Sequence, residues 1–544
     1  MSDIILSRHN IEAAIKEISI NSAAGPDNFP ALLLSRCAKE LSAPLLFLYR
    51  NSLNSGIIPK QLKNARITPI YKGGSKAEAK NYRPIALTSH IIKVLERIIA
   101  KNMAQYLEQN NKMNQDQHGF RTGHSCLSQL LTHYETILEK LEYNKNVDVI
   151  YLDFAKAFDK VDHGVLLHKI KQMGIAGKLG MWLHSFLIDR EQCVAVGGAV
   201  SQPSAVMSGV PQGSVLGPLL FLIHITDINE HVLHSSVASF ADDTRVLKEV
   251  SSISDAEQLQ TDLTSLYAWG DQNNMSFNNN KFQHMHYSPG GVSDNVHKFT
   301  APDCSDIDTK EHIKDLGVIL SADGNFTLHI QDVVKRARSQ AGWILRTFRT
   351  RERLPMLTLY KSLVIPLLEY CCQLWSPCRQ GEKQSLEAVQ RTFTSRICNI
   401  RHLDYWARLR DLQLYSLERR RERYAIIYIY KILTGKVVNN LNIEFNIHQR
   451  RGRLCHINSI CTTARTRVKT LKQNAFATRG PQLFNALPRH LRDTAEDNID
   501  CFKNQLDKFL QTIPDQPKMP HYHLSAASNS IVDQLAQRRA DGLF

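Results

Sequence analysis

Three aspartates are placed so that they could do chemistry together. Asp153 ends the apolar, β-branched run 147–153, and Asp242-Asp243 lies between the short runs 237–241 and 244–247. These runs read as strands, and a two-residue hairpin turn fits between the last two. If the strands are neighbours in one antiparallel sheet, all three carboxylates meet at one edge. Such a cluster repels itself and makes little sense without cations. Two Mg²⁺ ions about 3.5–4 Å apart would neutralise it through hard oxygen ligands. One would lower the pKa of an attacking hydroxyl, and the other would hold the leaving phosphate oxygens for in-line displacement. That chemistry is nucleotidyl transfer. The Asp-Asp pair alone is weak evidence, because aspartate favours solvated turns. Adding the strand-terminal Asp153 brings the two readings level.

The elements that must position these acids follow from local pattern. Helical periodicity runs from 11 to about 58, broken by the turn Ala24-Gly25-Pro26-Asp27, and returns over 89–109 and 125–143. A short strand at 65–71 is ended by Lys72-Gly73-Gly74. A helix is expected from Asp162 to Met173, strands within 191–206, a helix from Ala256 to Asn273 and a strand at 281–287. Ser208 to Pro218, rich in glycine and proline, leads into an apolar helix. From about His329 the chain turns helical and basic. No repeat of fixed period is present. The fold class is α+β.

Composition sets the bounds. At 544 residues and 43% hydrophobic content, two to four globular domains are expected. The longest apolar run, 215–225, is too short to cross a bilayer, and the first ten residues lack a signal-peptide core. The expected location is therefore intracellular, with no membrane partner. Eleven scattered cysteines without a CxxC pair indicate neither a disulfide framework nor a zinc ribbon; Cys371, Cys372 and Cys378 read as buried thiols. The net charge of +15 is concentrated. Residues 331–480 hold 29 Lys+Arg against 10 Asp+Glu, whereas residues 1–330 hold 31 against 34. A whole region this basic favours a polyanion partner over a merely solvated face.

Several ordered blocks carry a resemblance. NSAAGPDNFP (21–30), ITPIYKGGSKAEAKNYRPIALTS (67–89), QHGFRTGHSC (117–126), YLDFAKAFDKVDH (151–163), SGVPQGSVLGPLLFLIHI (208–225), SFADD (239–243), NMSFNNNKF (274–282) and IKDLGVIL (313–320) occur in this order. Over about residues 20–325 the chain resembles the reverse transcriptases of non-LTR retrotransposons, jockey-like and related LINE groups. The resemblance implies a right-hand polymerase with fingers, an antiparallel palm sheet and a thumb. Residues 1–146 would be the N-terminal and fingers region, 147–325 the palm with a fingers insertion around 164–206, and 326–435 a helical thumb. A basic region at 436–544 would follow, its last 30 residues poorly structured.

By position, the resemblance makes Asp153, Asp242 and Asp243 metal ligands, joined by the Phe154 backbone carbonyl. Phe158, five residues after Asp153, falls at the aromatic gate that would clash with a ribose 2′-hydroxyl. Lys72 and Arg83 fall where fingers residues contact the triphosphate, and both suit it chemically. Gln212 and Gly213 match the loop beside nucleotide and template, and Lys281 a residue proposed to protonate the leaving pyrophosphate. Two Mg²⁺ ions are implied, with Mn²⁺ a substitute, alongside an RNA template, a DNA primer or target, dNTPs and no small-molecule cofactor. His224 and Phe240 depart from the usual family residues; His224 reads as packed, and Phe240 keeps the ring of the more frequent tyrosine. The segment 477–493 resembles a C-terminal motif of the group whose role the sequence does not explain.

Three rivals are weighed. An RNA-dependent RNA polymerase must admit the 2′-hydroxyl, against which Phe158 argues. An intron maturase fits the motif wording less well. A non-enzymatic RNA-binding derivative would be expected to have lost one acid, and all three are present. The chain starts almost at the fingers, so no endonuclease domain is expected within it, as in a truncated copy. The resemblance implies access to the nucleus or a cytoplasmic ribonucleoprotein.

Overall fold

The apolar run at 147–152 becomes the middle strand of a five-stranded sheet, covered on both faces. A computed structural model describes the chain except residues 2–3, 293–295, 450–451, 495–497, 521–527 and 542–544. In chain order the strands that matter are β1 (Ala65–Tyr71), β2 (Tyr82–Leu87), β3 (Val147–Leu152), β4 (Arg190–Val196), β5 (Ala199–Val200), β6 (Ser204–Val206), β7 (Ser236–Phe240), β8 (Asp243–Glu249), β9 (Gln283–Tyr287), β10 (Asp308–Thr309), β11 (His312–Asp315) and β12 (Val318–Ser321). The central sheet has the order β10-β9-β3-β8-β7, with β3 antiparallel to both neighbours.

Side-chain alternation assigns each face of β3 to a different core. Val147, Val149 and Tyr151 join Met285, Tyr287 and the helix Cys126–Glu142 on one side. Ile150 and Leu152 join the helices His90–Gln109, Gly217–His224 and Ile253–Gln272 on the other. Burial on both faces explains why β3 reads as a nearly continuous apolar run. Its one interior acid, Asp148, accepts hydrogen bonds from His284 (3.0 Å) and His286 (2.6 Å) of β9, so the buried charge is not left bare.

A second sheet lies beyond this one. The β1–β2 hairpin pairs Ile70 with Arg83, and β4 runs parallel to β1 with Ala65 opposite Gln192. Residues 190–206 therefore complete the sheet begun at 65–87. Helix starts follow their caps: Ser89, Ser125, Asp162 and Ser252 each accept a backbone N–H from the first turn, worth about 1 kcal/mol apiece.

The basic half is helical, and its core is continuous with one face of the central sheet. Helices Thr327–Thr347, Gln380–Thr394, Leu417–Leu433, Phe476–Ala486 and Ile499–Leu510 all contribute to that core. The tail differs from expectation. Helix Ile531–Ala540 is formed, with Ile531 and Leu535 buried and the Ile531 N–H donated to Glu422 Oε2 (3.0 Å). Its apolar residues are too few to announce a helix from sequence, and packing supplies the difference. Cys371 and Cys372 are buried, as expected of structural thiols, while Cys378 is exposed.

One carboxyl inside this helical core gives a test of its packing. Burial pushes Glu387 up to about 7, against hydrogen bonds from Tyr405 and the Leu417 N–H and the charge of Arg421. A carboxyl raised on folding contributes stability that is full below its unfolded pKa and lost as pH rises through the folded value. The native chain should therefore lose stability between about pH 4.5 and 7. Glu387→Gln should flatten part of that slope in urea midpoints measured across the range.

Candidate active site

Strand register gathers the three acids. Leu152 lies opposite Thr244, which brings Asp153, next after Leu152, to the same sheet end as Asp243, next before Thr244. The turn sits one residue earlier than the sequence suggests: Phe240 pairs with Asp243, so Ala241 and Asp242 form the tip and Asp243 begins β8. The cause is tertiary. Ala241 takes a left-handed backbone (φ 55°), held by Gln117, which accepts from the Ala241 N–H (2.8 Å) and donates to its carbonyl (3.2 Å). A Cβ on Gly119 would stand 2.3 Å from the Ala241 nitrogen, so only glycine allows this approach.

The acids perturb one another. Burial first, then repulsion from Asp153, holds Asp242 above its usual range, with Arg83 and Lys281 opposing. Asp243 is pushed up to about 6 by burial, then by Asp242, Asp315 and Asp153, with Arg245 opposing. Its side chain still reaches solvent, which screens part of this repulsion. The Lys281 Nζ stands 2.9 Å from Asp153 Oδ2 and is largely exposed. Among the described residues no three His, Cys, Asp or Glu side chains already close on a common point for a metal ion. The donor set nonetheless suits a hard divalent cation. Three carboxylates share one edge, burial and neighbouring carboxylates raise Asp242 and Asp243, and the cation paired with Asp153 is an exposed lysine.

The other expected residues surround this edge. Phe154 is buried and stacks on Phe277 at 4.5 Å. The backbone hydrogen bonds on either side of it use the Asp153 carbonyl and the Ala155 N–H, and the Phe154 carbonyl takes part in neither. Phe158 is half-buried, stacked on Phe221 at 4.5 Å and 18°, with its carbonyl accepting from the Val210 N–H. Gln212 Nε2 donates to Asp159 Oδ1 (2.8 Å), and its carbonyl accepts from the Ala86 N–H of β2 (2.6 Å). Gly213 has φ 123°, and a Cβ there would lie 2.5 Å from the Ala86 oxygen. Lys72 is exposed, its charge felt at Asp159, and Arg83 is exposed on β2 with its charge felt at Asp242. Of the expected residues, Lys281 pairs with Asp153 and Arg83 acts on Asp242, whereas Lys72 and Gln212 meet at Asp159 and Gly213 packs on Ala86. His224 is fully buried and pushed down to about 4 by burial, which fits a packed side chain.

Some supporting residues escape sequence reading. Arg245 of β8, buried beneath the hairpin, donates to Asp315 Oδ1 of β11 at 2.7 Å. The carboxyl of Asp315 is still raised, because burial outweighs the guanidinium's pull. Removing one partner leaves a buried charge alone, at a cost of about 3–5 kcal/mol. Asp315→Asn should therefore lower the unfolding free energy read from denaturant titration by that order, whereas replacing both partners with leucine should cost less. Glu96 is likewise buried and accepts from the Val215 and Leu216 N–H groups (2.7 and 3.1 Å), fixing the loop that carries Gln212 and Gly213. Both partnerships span long sequence separations, and nothing local in the sequence signals them.

Residues 70–320 match the family model described as "Reverse transcriptase (RNA-dependent DNA polymerase)". That stretch is similar to a reverse transcriptase domain. The matched stretch spans every expected site residue described above. Among curated relatives, a probable RNA-directed DNA polymerase from transposon BS of Drosophila melanogaster is 28% identical over 77% of this chain and 47% of the relative. A probable RNA-directed DNA polymerase from transposon X-element of the same fly is 29% identical over 68% and 42%. The RNA-directed DNA polymerase from its mobile element jockey is 27% identical over 74% and 44%. The expected resemblance to jockey-like elements is borne out. The chain spans less than half the length of these relatives. No helix among the described residues is long and apolar enough to cross a membrane.

Proposed function

We propose that the chain is an RNA-directed DNA polymerase of a non-LTR retrotransposon, adding dNTPs to a primer 3′-hydroxyl on an RNA template. The observation that carries this reading is the meeting of Asp153, Asp242 and Asp243 at one sheet edge inside a reverse transcriptase domain. In this assignment the sheet centred on β3 is the palm, the sheet of β1, β2, β4, β5 and β6 belongs to the fingers, and the helices from Thr327 to Leu433 form the thumb. The domain limits are those expected from sequence: 1–146, 147–325, 326–435 and 436–544.

Asp153, Asp242, Asp243 and the Phe154 carbonyl would hold two Mg²⁺ ions, which when bound activate the primer hydroxyl and stabilise the leaving phosphate. The chain's own groups do the rest. Arg83 and Lys72 bind the triphosphate on the fingers side, Arg83 near enough to sense Asp242. Gln212 and Gly213, tied to β2 through Ala86, bring backbone close to the nucleotide. The Phe158 ring meets the sugar. The Lys281 ammonium is the proton source for pyrophosphate. Lys335, Arg338 and Arg379 line one groove between helices Thr327–Thr347 and Gln380–Thr394, and would hold template–primer phosphates.

The test is incorporation of labelled dTTP by the purified chain on poly(rA) primed with oligo(dT), with and without a chelator. Template-dependent, chelator-sensitive extension is expected. A folded chain that binds the RNA without extending the primer would contradict the reading.

A further inference from the structure

Phe120 is the outlier beside the site. Its neighbours Gln117, His118, Gly119 and Arg121 are buried, yet Phe120 is 58% exposed. Its backbone is left-handed (φ 53°), a conformation that bulky side chains rarely take and that is retained only where the surroundings enforce it. They do so here. Gln117 grips the hairpin tip and Gly119 presses against Ala241. Arg121 is pinned by Glu108 (2.8 and 2.7 Å) and by the Gln117 carbonyl. His118 bonds Ser128 Oγ at 2.8 Å. A glycine would fill this position without strain, and it would expose no apolar ring.

The ring points somewhere definite. Its centroid lies 6.1 Å from that of Phe158 at 85°, and Phe158 stacks in turn on Phe221. Three rings therefore step from the core to solvent, and the last one belongs to the residue next to Gly119, which packs on Ala241 at the hairpin tip beside Asp242. The carboxylates, Lys72 and Arg83 suit phosphate and sugar, which leaves the nucleotide's flat apolar part, its base, without an assigned contact. A solvent-facing aromatic ring is the group that a base stacks on.

We propose that Phe120 is a positioning residue of this polymerase, stacking on a nucleobase at the insertion site. The inference rests on the proposed polymerase function. The base could belong to the incoming dNTP or to the template strand, and kinetics separate the two. The experiment is single-nucleotide incorporation by the full chain on poly(rA)–oligo(dT), comparing native protein with Phe120→Gly, Phe120→Ala and Phe120→Tyr. Losing one stack should weaken binding roughly tenfold. For an incoming base, the KM for dTTP rises; for a template base, the Kd for template–primer rises. In either case kcat should stay within about twofold and Phe120→Tyr should restore binding. Phe120→Gly should not lower Tm, because glycine accepts this backbone.

Native KM and Kd in Phe120→Gly would overturn the role, and so would a weakened Phe120→Gly that also melts lower. The native chain in the same plate tests the underlying reading. If it extends while Phe120→Gly matches it, only the role of Phe120 fails; if it does not extend, both readings fail.

Discussion

Asp242→Asn should abolish nucleotide incorporation while leaving the chain at least as stable as before. The loss expected is about three orders of magnitude or more, since the charge stabilisation that a metal supplies amounts to several kcal/mol. Asp242 sits at the tip of a hairpin held in place by Gln117, and its carboxyl is raised by burial and by Asp153. Asparagine keeps the size and the turn preference but removes the charge. Neutralising one of three crowded carboxylates relieves repulsion that Arg83 and Lys281 offset only in part. Activity and stability should therefore move apart, as they do when a site is strained for function. Rapid-quench incorporation read beside a thermal melt makes the comparison. A variant that loses activity only in proportion to lost folding would show that Asp242 is a structural turn residue.

Phe158→Val should open the enzyme to ribonucleotides. The ring is fixed by stacking on Phe221 at 4.5 Å and by the hydrogen bond from Val210 to the Phe158 carbonyl. It cannot swing aside cheaply, so in the proposed polymerase its face would set a wall against the sugar. Shortening it to valine leaves room for a 2′-hydroxyl, and the preference for dTTP over UTP should fall by about ten- to a hundred-fold, the range expected for a steric pocket change. The ratio of kcat/KM for the two nucleotides measures it. Unchanged discrimination would mean that the gate lies elsewhere, with Phe158 only filling the core beside Phe221.

Much of this arrangement was legible beforehand, and the reasons differ by element. β3 showed itself because both its faces are buried, so five of its six residues are apolar. The helix starts at Ser89, Ser125 and Asp162 were readable because caps are local, whereas the helix expected from Ala256 starts earlier, at Ile253 behind Ser252. The placement of Asp153 opposite the hairpin needed only the assumption that β3 and β8 are neighbours. The hairpin tip was misplaced by one residue because a contact from Gln117, far away in sequence, sets the backbone of Ala241. The Arg245–Asp315 pair and the helix Ile531–Ala540 were invisible for the same reason: each exists through a partner that local pattern does not name. Phe120 was read only as part of a motif, since exposure and a left-handed backbone are properties of the folded chain.

The central claim is that three carboxylates at one sheet edge carry out template-directed DNA synthesis. The most direct measurement is primer extension on poly(rA)–oligo(dT) with dTTP and Mg²⁺, native chain against the Asp242→Asn, Asp243→Asn double variant, both shown to be folded and to bind the template. Extension by the native chain and none by the double variant is the result predicted here. Equal extension by both, or none by the native chain, would contradict the claim.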